Sequence, residues 1–178
     1  FYKTPIKSVS HIFTVPIEGG EVSELSTGMP WVYQPCWSPD GKSIAFLGRE
    51  EVQKNTWMNN IYTMPAEGGQ PQRITSPADK VMLARIAWSP DGKHIAYYSE
   101  DDKLKLVRLL GGSSRVLVED LKGHYRDSGL TWSPEGKELA YVRSNRIWRL
   151  NSETGKSEEV QTGLDRTHHM QLAWSPDG

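Results

Sequence analysis

The hexapeptide WSPDGK occupies residues 37–42, and it is the stretch that decides the fold. It returns three times, as WSPDGK at 88–93, WSPEGK at 132–137 and WSPDG at 174–178. In each copy proline presets φ at the second turn position, the acidic residue tolerates the third, and glycine takes the left-handed conformation. The string therefore predicts a type I turn with a bulge that reverses the chain between two antiparallel strands.

The spacing of the copies predicts a repeat protein. Their tryptophans lie 51, 44 and 42 residues apart, a period typical of repeat architectures. In the third copy the turn joins LTW (130–132) to ELAYV (138–142), and RIWRL (146–150) and a short strand near EEVQT (158–162) follow. Alternating apolar residues, rich in β-branched and aromatic types, favour strands, and no apolar stripe of helical period is present. The sequence therefore predicts an all-β protein built from four-stranded antiparallel units.

Composition excludes several classes of protein. The chain has 178 residues, 37% hydrophobic and 24% charged, with a net charge of -1, which is typical of a globular protein with one substantial core. Balanced charge does not provide the basic surface of a nucleic-acid-binding protein, and no apolar run approaches the roughly 18 residues of a membrane helix. We therefore expect neither a nucleic-acid partner nor a membrane span. The single cysteine, Cys36, forms no internal disulfide and does not identify a compartment.

Each motif tryptophan ends the strand before its turn and follows a small residue. The small residues are Cys36, Ala87, Thr131 and Ala173. A large ring beside a small neighbour in every repeat is what stacked sheets need to interlock, so we expect all four tryptophans to be largely buried between sheets. Pro35 cannot donate to a ladder and predicts that its strand lies at a sheet edge.

The order WSPDGK, then IAF or IAY, then an IY-like strand and EGG, resembles the WD40-like PD40 repeat of TolB-type β-propellers. The same repeat is found in tricorn-like proteases and in the propellers of prolyl-oligopeptidase-family peptidases. True WD40 repeats match less well, because the chain has no Gly-His and Trp-Asp pairing. The resemblance implies a β-propeller of about four four-stranded blades around a central channel. It implies one domain over 1–178, with blades at 28–76, 77–119 and 120–162 and a further blade made of 168–178 with 1–27.

The two chain ends align as complementary parts of one blade. By comparison with the complete repeats, HMQLAW (169–174) is a first strand and FYKTPIKS (1–8) a second strand. HIFTVPIEGG (11–20) is then a third strand with its turn, and EVSELS (21–26) a fourth. Three arrangements remain open: a closed four-bladed ring, a homodimer that completes an eight-bladed ring, or a piece of a six- to eight-bladed parent.

The candidate binding residues lie in the variable loops. The repeated SPDG and EGG turns fall on one face of such a fold, and loops that differ between repeats fall on the other, which favours recognition there. Those loops carry aromatic and arginine residues typical of interface anchors, and a histidine. They are Trp31, Tyr33, Trp57, Arg85, Tyr125, Arg126, Arg166 and His168. We expect them to bind a protein or peptide partner; the alternative is that they only cover the blade ends.

No catalytic constellation is evident in the sequence. A serine hydrolase would need a Gly-x-Ser-x-Gly elbow between a strand and a helix, and the chain has neither. His168 and His169 are adjacent, so on a strand they point to opposite faces and would chelate a metal only with a third residue such as His124. The acidic run at 100–102 lacks the spacing of a calcium loop. We therefore expect no catalytic residue, no metal, no cofactor and no enzymatic activity of this domain by itself.

The resemblance implies two leading functions. The first is a non-catalytic binding or scaffold propeller like TolB, in the periplasm or another extracytoplasmic compartment, with the cytoplasm left open. The second is an accessory propeller that gates substrate entry in a tricorn-like or prolyl-oligopeptidase-like peptidase. A weaker third possibility is a propeller lyase that acts on acidic sugars through a histidine-bound metal.

Overall fold

The computed structural model describes residues 11–25, 28–49, 59–76, 78–82, 85–111, 113–121, 129–163 and 171–177. These ranges contain fourteen β-strands and no α-helix, which confirms the all-β prediction. The strands are β1 Ile12–Thr14, β2 Ser23–Leu25, β3 Trp31–Trp37, β4 Ser43–Arg49, β5 Asn60–Pro65, β6 Gln72–Arg73, β7 Ala87–Trp88, β8 His94–Ser99, β9 Lys103–Arg108, β10 Arg115–Val118, β11 Leu130–Trp132, β12 Glu138–Arg143, β13 Arg146–Asn151 and β14 Ser157–Glu159. Over the same ranges, no helix has the length and apolar character needed to cross a membrane.

The strands form antiparallel sheets in chain order. Sheet 1 contains β1 and β2, sheet 2 β3 to β6, sheet 3 β7 to β10, and sheet 4 β11 to β14. The first strands of sheets 2, 3 and 4 lie next to one another and line the hub. This order places the first-to-second and third-to-fourth turns on one side, the turn face. The second-to-third loops and the connections between sheets lie on the opposite side, the loop face. Four-stranded antiparallel blades are thus confirmed for sheets 2 to 4.

The SPDG turn is held by a backbone hydrogen bond that repeats in the first three copies, and in the first two copies also by a bond from the serine hydroxyl to the aspartate. The Gly41 amide donates to the Ser38 carbonyl at 2.9 Å, and the Ser38 hydroxyl donates to the Asp40 carboxylate at 2.6 Å. That carboxylate also accepts from the Lys42 amide at 3.1 Å. The turn glycines of the first three copies have φ of 70°, 70° and 72°, a region that only glycine enters at no steric cost. The predicted hairpin turn is therefore confirmed.

The sheets stack face to face, and each has two different faces. The A face of a sheet is turned toward the preceding sheet, and the B face toward the following one. The interface of sheets 1 and 2 buries Ile12, Leu25, Ile44, Phe46, Tyr62 and Met64. The interface of sheets 2 and 3 buries Ala45, Leu47, Ile61, Ile95, Tyr97 and Val107. The interface of sheets 3 and 4 buries Tyr98, Leu104, Leu130, Trp132, Leu139 and Tyr141. Adjacent strand residues alternate between these interfaces, as expected for strands buried on both sides.

The motif tryptophans are not equally buried. Trp132 is 9% exposed, and its indole Nε1 donates to the Ala87 carbonyl of sheet 3 at 3.1 Å. Trp88 and Trp174 are partly buried. Trp37 is 54% exposed, so the prediction that all four rings are largely buried is wrong at this position. Trp37 lies on the A face of sheet 2, and the described part of sheet 1 has no first strand to cover it.

The predicted terminal blade lies only partly within the described residues. β1 and β2 pair from Ile12 opposite Leu25 onward, in agreement with the predicted third and fourth strands. The predicted second strand at 1–8 lies outside the described residues. No strand forms over 171–177, because none of the described strands pairs with this segment. Leu172 nevertheless lies beside Gly129, the residue before β11, since a Cβ built on Gly129 would lie 2.5 Å from the Leu172 amide nitrogen.

Candidate functional site

The candidate site is the loop face, and the structure describes part of it. Trp31 and Tyr33 lie in β3, and Arg85 precedes β7, so all three belong to the loop-face half of adjacent hub strands. The other predicted anchors lie outside the described residues. They are Trp57, Tyr125, Arg126, Arg166 and His168. His124 and His169, which the sequence associated with a metal, also lie outside them.

Trp31 forms the best-defined anchor on this face. It pairs across the hairpin with Arg49, whose guanidinium carbon lies 4.3 Å from the centroid of the Trp31 ring. This is a cation–π contact, worth on the order of 0.5–1 kcal/mol where it remains solvated. Both side chains are only partly buried. The pair therefore presents a flat aromatic surface and a cation in one fixed arrangement.

A β-bulge in β3 positions this pair. The ladder shifts register between Tyr33 and Cys36, and Gln34 within the shift has φ of 51°. A bulge adds one residue to one strand and re-aims the side chains beyond it. Pro35 also lies in the bulge, where its lack of an amide hydrogen removes no ladder bond, and β3 is an edge strand as Pro35 predicts.

The bulge decides which residue faces Trp31. Counting back from the SPDG turn, where Trp37 stands opposite Ile44, would pair Trp31 with residue 50. The observed partner is Arg49, one residue earlier. Sequence reasoning therefore missed Arg49, because one extra residue in a strand leaves no distinctive signal in composition.

Tyr33 has a largely structural environment. Its ring and the side chain of Cys36 pack against the cluster between sheets 2 and 3, so Tyr33 offers a partner only its exposed portion. Burial raises the pKa of the Cys36 thiol to about 12. A thiol with that pKa stays protonated at neutral pH and is a poor nucleophile.

Arg85 is a second cation near the hub. It is partly exposed and directly precedes Ile86, which is buried in the interface of sheets 2 and 3. Because the buried Ile86 fixes the backbone, Arg85 is anchored at the loop-face end of β7. Trp31 and Arg85 therefore occupy the same end of neighbouring hub strands.

The connection from sheet 2 to sheet 3 crosses the loop face and is hydrogen-bonded to both sheets. Val81 forms isolated bridges with Asn59 on one side and Ser99 on the other, and the Asn59 side chain donates to the Val81 carbonyl at 3.4 Å. Val81 itself is 1% exposed. These contacts join residues 18 to 22 positions apart, so the sequence contains no local sign of them.

A polar network fixes the start of the same connection. The Asp79 carboxylate accepts hydrogen bonds from the hydroxyls of Ser76 at 2.9 Å and Ser114 at 3.1 Å, and Lys105 Nζ lies 3.7 Å away. Burial of Asp79 opposes its ionisation, but these hydroxyls, Tyr97 and Lys105 outweigh burial and lower its pKa. Asp79 is therefore a charged, internally satisfied group and not an open ligand site.

The central residue of the acidic run at 100–102, Asp101, is paired with two lysines. Asp101 lies 3.1 Å from Lys105 Nζ and 3.3 Å from Lys103 Nζ. Desolvation raises the pKa of Asp101, but hydrogen bonds from Ser99 and the two lysines outweigh this effect. The resulting pKa is about 2. In the described part of the chain, no group of three or more histidine, cysteine or acidic side chains has the geometry of a metal site.

The turn-face end of the hub is a repeated apolar groove of about 520 Å³. The corresponding tryptophans and prolines of successive copies line it, among them Trp37, Trp88, Trp132, Trp174, Pro39 and Pro90. Because each repeat contributes the same residue types, this groove reflects the scaffold.

The chain is similar in sequence to a curated bacterial protein. The chain is 28% identical over 172 residues to the uncharacterized peptidase YuxL of Bacillus subtilis (strain 168). The match covers 88% of this chain but only 23% of that protein. The chain therefore spans about a quarter of the length of its curated relative.

Solved structures share the fold at low sequence identity. TolB from Acinetobacter baumannii matches with a TM-score of 0.65 and 21% identity, over 84% of this chain and 37% of that one. A puromycin hydrolase matches with a TM-score of 0.64 and 19% identity, over 85% of this chain and 25% of the other. The model of the TolB β-propeller domain family matches residues 6–177. The chain therefore belongs to the TolB β-propeller domain family.

Proposed function

We propose that this chain is a non-catalytic binding propeller that presents its loop face to a protein or peptide partner. The observation that carries the proposal is the Trp31–Arg49 pair, which a bulge holds on the variable face of an otherwise repeated scaffold. Aromatic and arginine side chains supply much of the energy at protein interfaces. A pair that is ordered before binding loses less conformational entropy on contact.

The described residues also favour a particular chemistry in the partner. Arg85 is a partly exposed cation on this face, while the carboxylates of Asp79 and Asp101 are paired with lysines. A peptide with a carboxylate to pair with arginine and an apolar side chain to stack on Trp31 would meet both groups. We therefore propose a partner segment that combines an acidic and an apolar residue. The resemblance to TolB supports an extracytoplasmic location, which fractionation of cells carrying the tagged full-length product would test.

Selection from a random peptide library displayed on phage would test the proposal. We expect the chain to enrich peptides that contain acidic and apolar residues. Affinities of synthetic copies of these peptides, measured by fluorescence anisotropy, should weaken at least about 10-fold for Trp31→Ala and for Arg85→Glu, the effect of losing one interface anchor.

Variants of the turn face provide the matched controls. Leu110 is 99% exposed and Lys93 is exposed beside its SPDG turn, so Leu110→Ser and Lys93→Ser should leave the affinity unchanged. Circular dichroism of every variant must match that of the wild type. Peptides that bind Trp31→Ala as tightly as the wild type, or that respond only to the turn-face changes, would refute the proposal.

The alternative is an accessory propeller that gates a peptidase. The relative named as a peptidase supports it, because this chain matches only 23% of that protein and leaves room for a separate catalytic domain. In that case the full-length product should react with a fluorophosphonate probe, whereas residues 1–178 alone should not. Trp31→Ala in the full-length product would then change the relative rates of cleavage of long and short peptides. A full-length product inert to the probe would remove this alternative.

A further inference from the structure

A polar cleft of about 580 Å³ lies between sheets 3 and 4 on the turn face. Both sheets have four strands within the described residues, so the cleft is bounded on both sides. Two of its lining residues, Leu106 and Trp132, belong to the core between the sheets and form an apolar floor, since they are only 7% and 9% exposed. The volume falls in the range of roughly 300–1,000 Å³ that small-molecule sites occupy.

The two walls of the cleft carry opposite charges. Sheet 3 provides a basic wall with Arg108 and Arg115, and sheet 4 provides an acidic wall with Glu135 and Glu153. All four side chains are exposed. A ligand in the cleft would therefore lie between cations on one side and carboxylates on the other.

Repetition of the scaffold does not explain the basic wall. Arg108 ends β9 as Pro65 ends β5, and each pairs with the first residue of the strand before it. Arg115 begins β10 as Gln72 begins β6. The corresponding positions of sheet 2 thus carry proline and glutamine. The two cations are specific to the cleft between sheets 3 and 4.

The charged groups of the two walls do not neutralise one another. Among the described residues, the Arg108 guanidinium and the carboxylates of Glu135 and Glu153 form no hydrogen bond or ion pair. Arg115 donates to the Ser152 carbonyl of sheet 4 at 3.0 Å, which holds its guanidinium across the cleft and leaves its other N–H donors available. The walls therefore enclose one space but lie too far apart to pair directly.

The remaining titratable groups of the cleft already have partners. The Asp91 carboxylate accepts hydrogen bonds from the Ser89 hydroxyl at 2.6 Å and from the Lys93 amide at 2.9 Å. His94 Nδ1 lies 3.9 Å from the same carboxylate. A ligand would therefore meet two arginines on one wall and two unpaired carboxylates on the other.

We propose that this cleft binds a short zwitterionic peptide. Its carboxylate would pair with Arg108 and Arg115, because arginine binds carboxylates with two parallel hydrogen bonds, and its ammonium group would face Glu135 and Glu153. A dipeptide carries these two charges at opposite ends, and an apolar side chain between them would contact the floor. A purely anionic ligand would place like charges against the acidic wall. The cleft lies on the turn face, so this site is independent of the proposed loop-face function.

An NMR titration of the isotope-labelled chain with the dipeptide L-alanyl-L-leucine tests the proposal. We expect saturable binding that is at least about 10-fold weaker for the N-acetylated and for the C-amidated dipeptide, because each lacks one of the two charges. Absence of saturable binding of the free dipeptide would overturn the proposal. Equal affinity for the free and the acetylated dipeptide would also overturn it, since the cleft would then select anions and not zwitterions.

Variants of each wall test which charge it binds. Arg108→Gln should weaken binding of the free dipeptide at least about 10-fold and leave binding of the amide nearly unchanged, since the amide has no carboxylate to lose. The double variant Glu135→Gln with Glu153→Gln should weaken the free dipeptide and leave the acetylated form nearly unchanged. These side chains are exposed and have no partners to lose, so the variants should fold, as thermal unfolding would verify. Unaltered affinity in either variant would overturn the assignment.

Glu67→Gln provides the matched control. Glu67 occupies in sheet 2 the place of Glu153 in sheet 4, because the preceding amides of Ala66 and Ser152 donate to equivalent lysine carbonyls. Glu67 is exposed and does not line the cleft. We expect Glu67→Gln to bind the dipeptide like the wild type. A loss equal to that of the acidic-wall variant would show that the binding depends on surface charge and not on this cleft.

Discussion

The same motif tryptophan has different surroundings in sheet 2 and in sheet 4. Trp132 lies between sheets 3 and 4, is 9% exposed and donates a hydrogen bond to Ala87. Trp37 occupies the equivalent place in sheet 2 and is 54% exposed. The turns that follow differ only in their acidic residue, Asp40 or Glu135, so the main difference is the neighbouring sheet. In a stacked fold, the contribution of a repeated residue to stability depends on how far the adjacent repeat buries it and on the hydrogen bonds that this repeat accepts.

Charged pairs show the same contrast between a covered A face and an open one. Asp79 and Lys105, on the A-face side of sheet 3, have side chains 12% and 13% exposed. His11 and Glu24, on the open A face of sheet 1, are 34% and 49% exposed. Solvated ion pairs contribute little to stability, whereas a partly buried and hydrogen-bonded carboxylate contributes more.

The largest predicted effect is the loss of a covered tryptophan. Trp132→Ala should lower the free energy of unfolding by about 3–5 kcal/mol, the usual range for a buried large aromatic residue. Trp37→Ala should cost less than about 1 kcal/mol, since much of the ring is already in water. Urea unfolding followed by circular dichroism measures both, and similar losses at the two positions would show that Trp37 is covered in solution.

Overpacking of a covered face should have the next largest effect. A Cβ at Gly48 would lie 2.6 Å from Met29 Sδ and 2.9 Å from a ring carbon of Tyr62. Gly48→Ala should therefore cost about 1–3 kcal/mol. In a Met29→Ala background the same change should cost less, because the nearest atom is gone. If the losses of Gly48→Ala and Met29→Ala simply add in the double variant, Met29 does not pack against Gly48 as described.

The turn serines should have a smaller effect that depends on the acidic residue beside them. Ser89 donates to Asp91 at 2.6 Å and accepts from the His94 amide at 3.0 Å. Ser133 accepts from the Glu138 amide at 3.1 Å. Ser89→Ala should cost about 1–2 kcal/mol and Ser133→Ala about 0.5–1 kcal/mol, since bonds to charged groups are stronger. A reversed order in urea unfolding would contradict this assignment.

Acid should produce the smallest and most specific effect. Asp79 and Asp101 have folded-state pKa values below the usual value near 4, with Asp101 at about 2. Because the pKa of each carboxyl is lower in the folded than in the unfolded state, its ionised form stabilises the folded protein above about pH 4. This stabilisation is lost as the pH falls toward 2. Asp101→Asn should therefore reduce the dependence of unfolding on pH between about 4 and 2.

Much of the fold could be predicted because its determinants are local. A proline and a glycine at fixed places in SPDG define the turn, and alternation over six or seven residues defines the strands beside it. Strand β11 has the predicted limits, Leu130–Trp132, and β13 begins at the predicted residue, Arg146. The fourth strands were predicted less well, since β14 is Ser157–Glu159 and not 158–162. Short outer strands have few residues to establish a pattern.

The sequence by itself determined the hairpins, the four repeats, the two faces of each strand and the division into a turn face and a loop face. Only the tertiary structure decided that Trp31 stands opposite Arg49, because a single inserted residue at Gln34 shifts the register. Only the tertiary structure showed that Asp79 meets Ser114, 35 residues away, and that Trp37 is exposed. Turn chemistry acts over a few residues and repeats wherever the motif repeats. Register, polar networks and burial depend on which sheet packs alongside. The packing of the sheets is set by contacts between residues far apart in the sequence.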